Sequence, residues 1–177
     1  MDREQMRQLV FLVATVAHSV LGTCDRLRVA CGIVKGKRLR GLGFNGSVNG
    51  LPHCDDVGHL MEDGHCVATV HAERNATINV DREHLVGAQA IVTATPCLPC
   101  VHDLLQCGVT RVDYYGTYSN SLASSKIAEQ AAKKNVPLTQ HTVDWADVFQ
   151  TLFDLLARKG GVLCNAGYRL RVTKEPL

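Results

Sequence analysis

This 177-residue chain is organised around Val70-His71-Ala72-Glu73 and, downstream, Pro96-Cys97-Leu98-Pro99-Cys100. Cys97 and Cys100 are three residues apart, so on a helix they share one face and can bind the same ion. His71 supplies a third ligand, and three protein ligands leave one tetrahedral position of a zinc ion open, which is typical of a catalytic site. Glu73 follows closely and can act as a base beside that position. The two stretches therefore predict a catalytic zinc centre.

Each stretch is expected to lie at the start of a helix. Pro96 suits this position because the first turn leaves backbone N–H groups unbonded, so a missing N–H costs nothing. Partial positive charge at a helix N-terminus also favours the thiolate form that binds zinc. Taken alone, C-x-x-C could be a redox pair or half of a structural zinc site, and H-x-E often arises by chance. Their order, with the apolar run Ala90-Ile91-Val92-Thr93-Ala94 before the cysteines, favours catalytic zinc.

Composition and charge indicate an ordinary soluble globular protein. The chain is 46% hydrophobic and 20% charged, with a net charge of +2 and no run of lysine and arginine that would mark a nucleic-acid surface. The apolar run at 9–17 is too short to cross a bilayer, and Asp2 and Glu4 before it argue against a signal peptide. Eight cysteines, some beside histidines, favour metal binding in a reducing compartment over disulfides. We therefore expect a cytoplasmic protein without membrane contact.

Alternating strand and helix patterns predict an α/β fold. Helices are expected at 2–20, 71–80, 97–107, 122–134 and 145–159, and strands at 28–34, 38–44, 88–94, 111–115 and 136–142. The first two strands form a hairpin, whereas helices between the later strands allow parallel crossovers. This order favours a three-layer α/β/α sandwich with a mixed five-stranded sheet. We expect one domain over 1–177, with a polar loop insert at about 47–66 and a tail at about 160–177 that adds a strand near 168–173.

Several motifs together resemble the deoxycytidylate deaminase family, within the cytidine deaminase-like superfamily. The pattern H-x-E … P-C-x-x-C is itself the known signature of the zinc nucleobase deaminases. The resemblance covers roughly residues 6–141 and rests on Thr23-Cys24, Gly43-Phe44-Asn45-Gly46, His53-Cys54, His65-Cys66, His71-Ala72-Glu73-Arg74-Asn75-Ala76 and the Pro96 to Cys100 stretch. Phe44 replaces the usual tyrosine, and Val48 replaces a proline or methionine often found after the glycine loop. The resemblance implies the cytidine deaminase-like form of the sandwich.

The resemblance also implies the roles of the central residues. His71, Cys97 and Cys100 would hold the catalytic zinc. Glu73 would carry a proton from the attacking water to the base and then to the leaving ammonia. The backbone at Ala72 and Leu98 would contact the base or the developing tetrahedral centre.

Three further residues would contact the nucleotide. Asn45 would contact the sugar, Tyr118 would line the nucleotide pocket, and Arg82 would contact the phosphate, in its own or a neighbouring subunit. Each has a simpler interpretation. Asn45 beside Gly46 suits a turn, Arg82 suits a solvated helix end, and Tyr118 suits ordinary packing.

A second, structural zinc site is predicted in and beside the insert. Cys24, Cys54, His59 and Cys66 are four ligands of the right kind for a closed zinc site, with His53 and His65 as rival ligands. A long polar insert otherwise lacks the buried surface that would order it. The alternative is that Cys24 is a small buried residue and the histidines are simply exposed.

The resemblance implies zinc-dependent deamination of dCMP to dUMP, which supplies thymidylate synthesis. The alternatives are deamination of another cytosine nucleotide or nucleoside, deamination of tRNA adenosine, and a non-catalytic zinc-stabilised nucleotide-binding protein. The near-neutral charge argues against RNA, and Glu73 argues against a purely structural zinc. The resemblance further implies a homo-oligomer, often a hexamer in the family, with dCTP and dTTP as candidate effectors.

Overall fold

The computed structural model describes residues 1–118 and 126–175. Its strands and helices follow the hydrophobic pattern of the sequence. The strands are β1 (Ala30–Lys35), β2 (Arg38–Phe44), β3 (Gly46–Ser47), β4 (Met61–Glu62), β5 (His65–Cys66), β6 (Thr69–Val70), β7 (Gln89–Val92), β8 (Arg111–Tyr114) and β9 (Leu138–Gln140). The helices are α1 (Arg3–Ser19), α2 (Cys54–Val57), α3 (Ala72–Ile78), α4 (Arg82–Leu85), α5 (Leu98–Gln106), α6 (Ile127–Lys133), α7 (Trp145–Leu156) and α8 (Val162–Asn165).

Five of these strands form one mixed sheet in the order β2-β1-β7-β8-β9. β1 is antiparallel to both β2 and β7, while β7, β8 and β9 run parallel. Gly36 and Lys37 both have positive φ, at 59° and 61°, as a tight hairpin turn between right-twisted strands requires. The antiparallel hairpin joined to a parallel half confirms the predicted α/β fold with a mixed five-stranded sheet.

Helices cover both faces of the sheet because its strands alternate apolar side chains between the two faces. Ile33 belongs to one buried cluster with residues of α3 and α5, whereas its neighbour Val34 packs with Leu12 of α1 in another. Trp145 of α7 joins the second cluster. The fold therefore has the predicted three layers, with α3 and α5 on the same face.

The insert has secondary structure of its own. α2 is followed by the antiparallel hairpin β4–β5, which turns through Asp63 and Gly64 with φ of 46° and 78°. β3 then pairs with β6, which leads directly into His71. The insert and the first zinc motif are thus connected by a single short strand.

The predicted tail strand at 168–173 is wrong, because that segment pairs with no strand within the described part of the chain. A side chain satisfies its backbone instead: Gln150 of α7 donates to the Leu170 carbonyl at 3.3 Å and accepts from the Val172 N–H at 2.9 Å. The helix predicted at 122–134 is observed from Ile127, and 122–125 lie outside the described residues. Among residues 1–118 and 126–175, no helix combines the length and apolar character that crossing a bilayer requires.

Candidate active site

The two sequence motifs meet at the starts of α3 and α5. His71 is the N-cap residue of α3 and Cys97 that of α5, as the sequence predicts. His71 Nδ1 lies 3.5 Å from Cys97 Sγ and 3.4 Å from Cys100 Sγ. Zinc bonds of about 2.0–2.3 Å in a tetrahedron place their ligand atoms roughly 3.5 Å apart, so this catalytic cluster of His71, Cys97 and Cys100 fits a zinc ion.

The protonation of the two thiols also favours a cation. A hydrogen bond from the Cys100 thiol, with help from His71, lowers the pKa of Cys97 to about 4 despite burial. The same contact with Cys97, followed by burial, raises the pKa of Cys100. The pair therefore forms one thiolate readily and resists forming a second. The positive charge of a divalent metal ion would stabilise that second thiolate.

Glu73, in the first turn of α3, lines a cavity together with His71 and Cys97 of the catalytic cluster. It is only 4% exposed, and this burial raises the pKa of its carboxyl. A carboxyl with a raised pKa exchanges a proton more readily near neutral pH, as a general acid–base group must. The cavity that it lines is also bounded by His71, Ala72 and Cys97.

Asn45 lines this cavity and also ties down the segment before β1. Its Oδ1 accepts from the Val29 N–H at 2.7 Å, and its Nδ2 donates to the Leu27 carbonyl at 2.9 Å. The side chain is 8% exposed, and its two hydrogen bonds leave one N–H and one lone pair for a ligand. Asn45 is consequently both a structural tie and a wall of the cavity.

The other two predicted nucleotide contacts are placed differently. Tyr118 lines the cavity, and its backbone N–H donates to Thr95 Oγ1 at 3.2 Å. Arg82 is exposed at the start of α4 and does not line the cavity. Arg26, which the sequence analysis missed, does line it. Arg26 lies two residues beyond the Thr23-Cys24 motif, so that motif did not indicate it.

The four predicted ligands of the second cluster also come together. Cys24, Cys54, His59 and Cys66, defined here as the second cluster, place their ligand atoms within 4.8 Å of one another. His59 Nδ1 lies 3.6 Å from Cys24 Sγ, and the Cys54 and Cys66 sulfurs are also 3.6 Å apart. The rival ligands lie elsewhere: His53 caps α2 and is exposed, and His65 lines the catalytic cavity.

A carboxylate behind His59 completes a metal-site arrangement. Asp25 Oδ1 lies 3.0 Å from His59 Nε2, so the ring donates to the carboxylate and directs Nδ1 toward the thiols. Metal-bound histidines usually donate their second N–H in this way. Burial raises the pKa of Cys54 to about 12, so three thiolates here also call for a cation.

Comparison with known proteins identifies the family. The family model described as the cytidine and deoxycytidylate deaminase zinc-binding region matches residues 3–116. The chain belongs to this family. Its catalytic cluster lies within the matched zinc-binding region, which supports zinc as the metal.

Individual relatives match at moderate identity. ComE operon protein 2 of Bacillus subtilis (strain 168) is 33% identical over 151 residues, covering 84% of this chain and 76% of that protein. Deoxycytidylate deaminase of Mycobacterium phage D29 is 34% identical over 116 residues, covering 59% of this chain and 90% of that enzyme. The crystal structure of dCMP deaminase from cyanophage S-TIM5 with dCMP and dUMP has a TM-score of 0.60 at 22% identity, covering 81% of this chain and 99% of that one. This last likeness establishes the shared fold.

Proposed function

We propose that this protein is a zinc-dependent deaminase that converts dCMP to dUMP within a single domain. The observation that carries the proposal is the buried Glu73 beside the His71–Cys97–Cys100 cluster, with Glu73, His71 and Cys97 lining one cavity. Relatives named deoxycytidylate deaminase support the choice of nucleotide, including that of Schizosaccharomyces pombe at 29% identity over 118 residues. Hydrolysis of the C4–N4 bond replaces the amino group by oxygen and releases ammonia.

The residues divide the work as follows. A zinc ion held by His71, Cys97 and Cys100 would lower the pKa of a bound water toward neutrality. Glu73 takes a proton from the attacking water, delivers it to N3 of the base and later helps the amino group to leave as ammonia. Such proton transfer contributes about 10²–10⁴-fold to the rate. The backbone at Ala72 and Leu98 contacts the base, Asn45 contacts the sugar with its remaining polar capacity, and Tyr118 closes the nucleotide pocket.

Arg26 is a better candidate than Arg82 for the phosphate contact within one subunit. Arg26 lines the same cavity as Glu73, whereas Arg82 does not. The guanidinium has five N–H donors, and two contacts with the insert leave others for a phosphate. Arg82 remains the candidate for a contact to a neighbouring subunit's nucleotide.

The second cluster is proposed as a structural zinc site. Its four ligands are buried or half-buried, and Asp25 supports His59 from behind. Four protein ligands leave no open position, which suits a structural role. Removing this metal should loosen the insert.

The wider role follows from the reaction. We place the protein in the cytoplasm, where its thiols stay reduced, supplying dUMP for thymidylate synthesis. We also propose a homo-oligomer, with a hexamer as one candidate, and dCTP and dTTP as candidate effectors. Size-exclusion chromatography with light scattering, with and without these nucleotides, tests both points.

The deciding experiment measures ammonia release from dCMP, CMP, deoxycytidine and dCTP by zinc-loaded protein. Selective turnover of dCMP, abolished in a Glu73→Ala variant that keeps its zinc, is the expected result. Equal turnover of all four substrates would overturn the nucleotide assignment. Turnover retained by Glu73→Ala would overturn the role of that residue. No turnover of any of the four substrates, with zinc still bound, would favour first a larger or modified substrate and then a nucleotide-binding protein.

A further inference from the structure

The chain places the second cluster and the catalytic cavity side by side. Cys24 and Cys66 are members of the second cluster, yet both line the cavity that also contains His71 and Glu73. Cys54 and His59, the other two members, do not line it. One half of the second cluster therefore forms a wall of the cavity, and the other half lies behind that wall.

Three consecutive residues connect the second cluster to the cavity. Cys24 belongs to the second cluster, Asp25 accepts the hydrogen bond of His59, and Arg26 lines the cavity. A backbone fixed at Cys24 and Asp25 determines where the Arg26 side chain begins. The position of the Arg26 guanidinium thus depends directly on whether the second cluster is assembled.

The guanidinium end of Arg26 is held by the insert as well. Its Nη2 donates to the Gly64 carbonyl at 3.0 Å, and its Nη1 lies 3.3 Å from Met61 Sδ. Both partners belong to the β4–β5 hairpin, which ends at Cys66 of the same cluster. Both ends of the Arg26 side chain are therefore positioned by segments that the second cluster joins.

Little apolar burial is available to hold that hairpin in place. Leu60, Met61 and Val67 are exposed at 63%, 44% and 48%, although they are the large apolar residues beside and within it. A two-stranded hairpin is marginally stable at best in water. Cross-linking Cys66 to Cys24 through a metal would supply the missing constraint.

We propose that metal occupancy of the second cluster sets the enzyme's affinity for the nucleotide phosphate by positioning Arg26. This inference rests on the proposed function and deepens it, because it assigns substrate recognition to a site otherwise read as structural. Arg26 contacts the phosphate, whereas Cys54 and His59 act as positioning residues from behind the cavity wall. Loss of the second metal should weaken binding of dCMP and leave binding of deoxycytidine nearly unchanged.

The test measures binding with chemistry switched off. Glu73→Ala protein carries either His59→Asn or Cys54→Ser, neither of which touches the cavity, and Cys164→Ser serves as a matched control outside both clusters. Zinc per chain is counted, and calorimetry gives Kd for dCMP and deoxycytidine. We expect His59→Asn and Cys54→Ser to lose one zinc and to raise Kd for dCMP at least tenfold, with Kd for deoxycytidine within twofold.

A double-variant comparison separates positioning from general damage. Arg26→Ala with both metals bound should weaken dCMP binding as much as His59→Asn does, and combining the two should add little further. An unchanged Kd for dCMP after loss of the second zinc would overturn the inference. So would equal weakening of both ligands or a fully additive double variant. If Glu73→Ala protein with both metals binds neither ligand, the proposed function itself fails.

Discussion

Arg74 of α3 and Asp103 of α5 form an ion pair in which Nε and Nη2 both lie 2.8 Å from Oδ2. It joins the two helices whose first residues follow His71 and Cys97. The pair therefore connects the two helices that carry the halves of the catalytic cluster.

Breaking this pair should weaken the helix contact modestly. Arg74 and Asp103 side chains are 52% and 34% exposed, so solvent screening limits the pair to about 0.2–1 kcal/mol. We expect Arg74→Ala and Asp103→Ala to destabilise similarly in urea unfolding and to lose catalytic zinc faster to a chelator. In the double variant the two effects should not add. The exposed pair of Lys133 and Glu129 on α6 provides a control whose removal leaves zinc release unchanged.

The candidate metal ligands were the most predictable part of this molecule. The sequence named the seven side chains that the structure gathers into two groups, because cysteine and histidine at metal-ligand spacing are chemically distinctive. The helix starts at His71 and Cys97 were predictable for a related reason. Pro96 and the apolar run before the cysteines indicate where a strand ends and a helix begins. Local chemistry carried these predictions without any knowledge of long-range contacts.

Features that depend on long-range packing were not predictable in the same way. Arg26 reaches the cavity through contacts with Gly64 and Met61, almost forty residues later, and no local pattern encodes them. The tail around Leu170 has a strand-like pattern, but a strand also needs an available edge, and Gln150 takes its backbone groups instead. The hydrophobic pattern of a segment does not determine which groups its backbone N–H and C=O will bond.

Substitution of Arg26 and substitution of Arg82 should affect recognition of the phosphate differently. Arg26→Ala should raise KM for dCMP by roughly 10–100-fold, the value of one or two charge-assisted hydrogen bonds. Its kcat/KM for deoxycytidine should change little, because that substrate lacks the phosphate. Arg82→Ala should leave both substrates unaffected if each subunit binds dCMP alone. Steady-state kinetics on the two substrates decide the matter, and a reversed pattern would assign the phosphate to Arg82.

Asp113 should make the fold sensitive to acid. It is fully buried on β8, and burial alone would raise the pKa of its carboxyl. Hydrogen bonds outweigh this effect and lower the pKa: Arg111 Nε donates at 2.6 Å, His141 Nε2 at 2.6 Å and Gln89 Nε2 at 2.9 Å. A carboxyl whose pKa is lower in the folded state adds stability above its unfolded value of about 3.9, and this stability is lost as pH falls through the folded value.

Asp113→Asn tests this dependence directly. The variant should lose about 1–3 kcal/mol of unfolding free energy at pH 7, toward the lower end because Arg111 is 53% exposed. The difference from the parent protein should shrink as pH falls below about 4, because the unfolded parent then takes up a proton that the folded carboxylate takes up only at lower pH. Urea unfolding at a series of pH values measures it, with the exposed Asp81→Asn as control. A difference that stays constant with pH would exclude the charged hydrogen bonds as its cause.

Gly43 should tolerate no side chain, because β2 crosses α3 at this point. A Cβ placed on Gly43 would lie 2.3 Å from the Ala76 nitrogen and 2.5 Å from the Ala72 carbonyl oxygen, both backbone atoms that cannot move aside alone. Gly43→Ala should therefore shift α3, which carries Glu73, and cost about 1–3 kcal/mol as overpacking does, together with most of the deaminase activity. Gly41→Ala on the same strand meets only the Val80 side chain, at 2.2 Å from Cγ2, which can repack. Thermal unfolding and kcat should be measured for both variants. We expect Gly43→Ala to lose far more activity than Gly41→Ala, beyond what its loss of stability explains. Equal loss of activity in the two variants would mean that the crossing of β2 and α3 does not position Glu73.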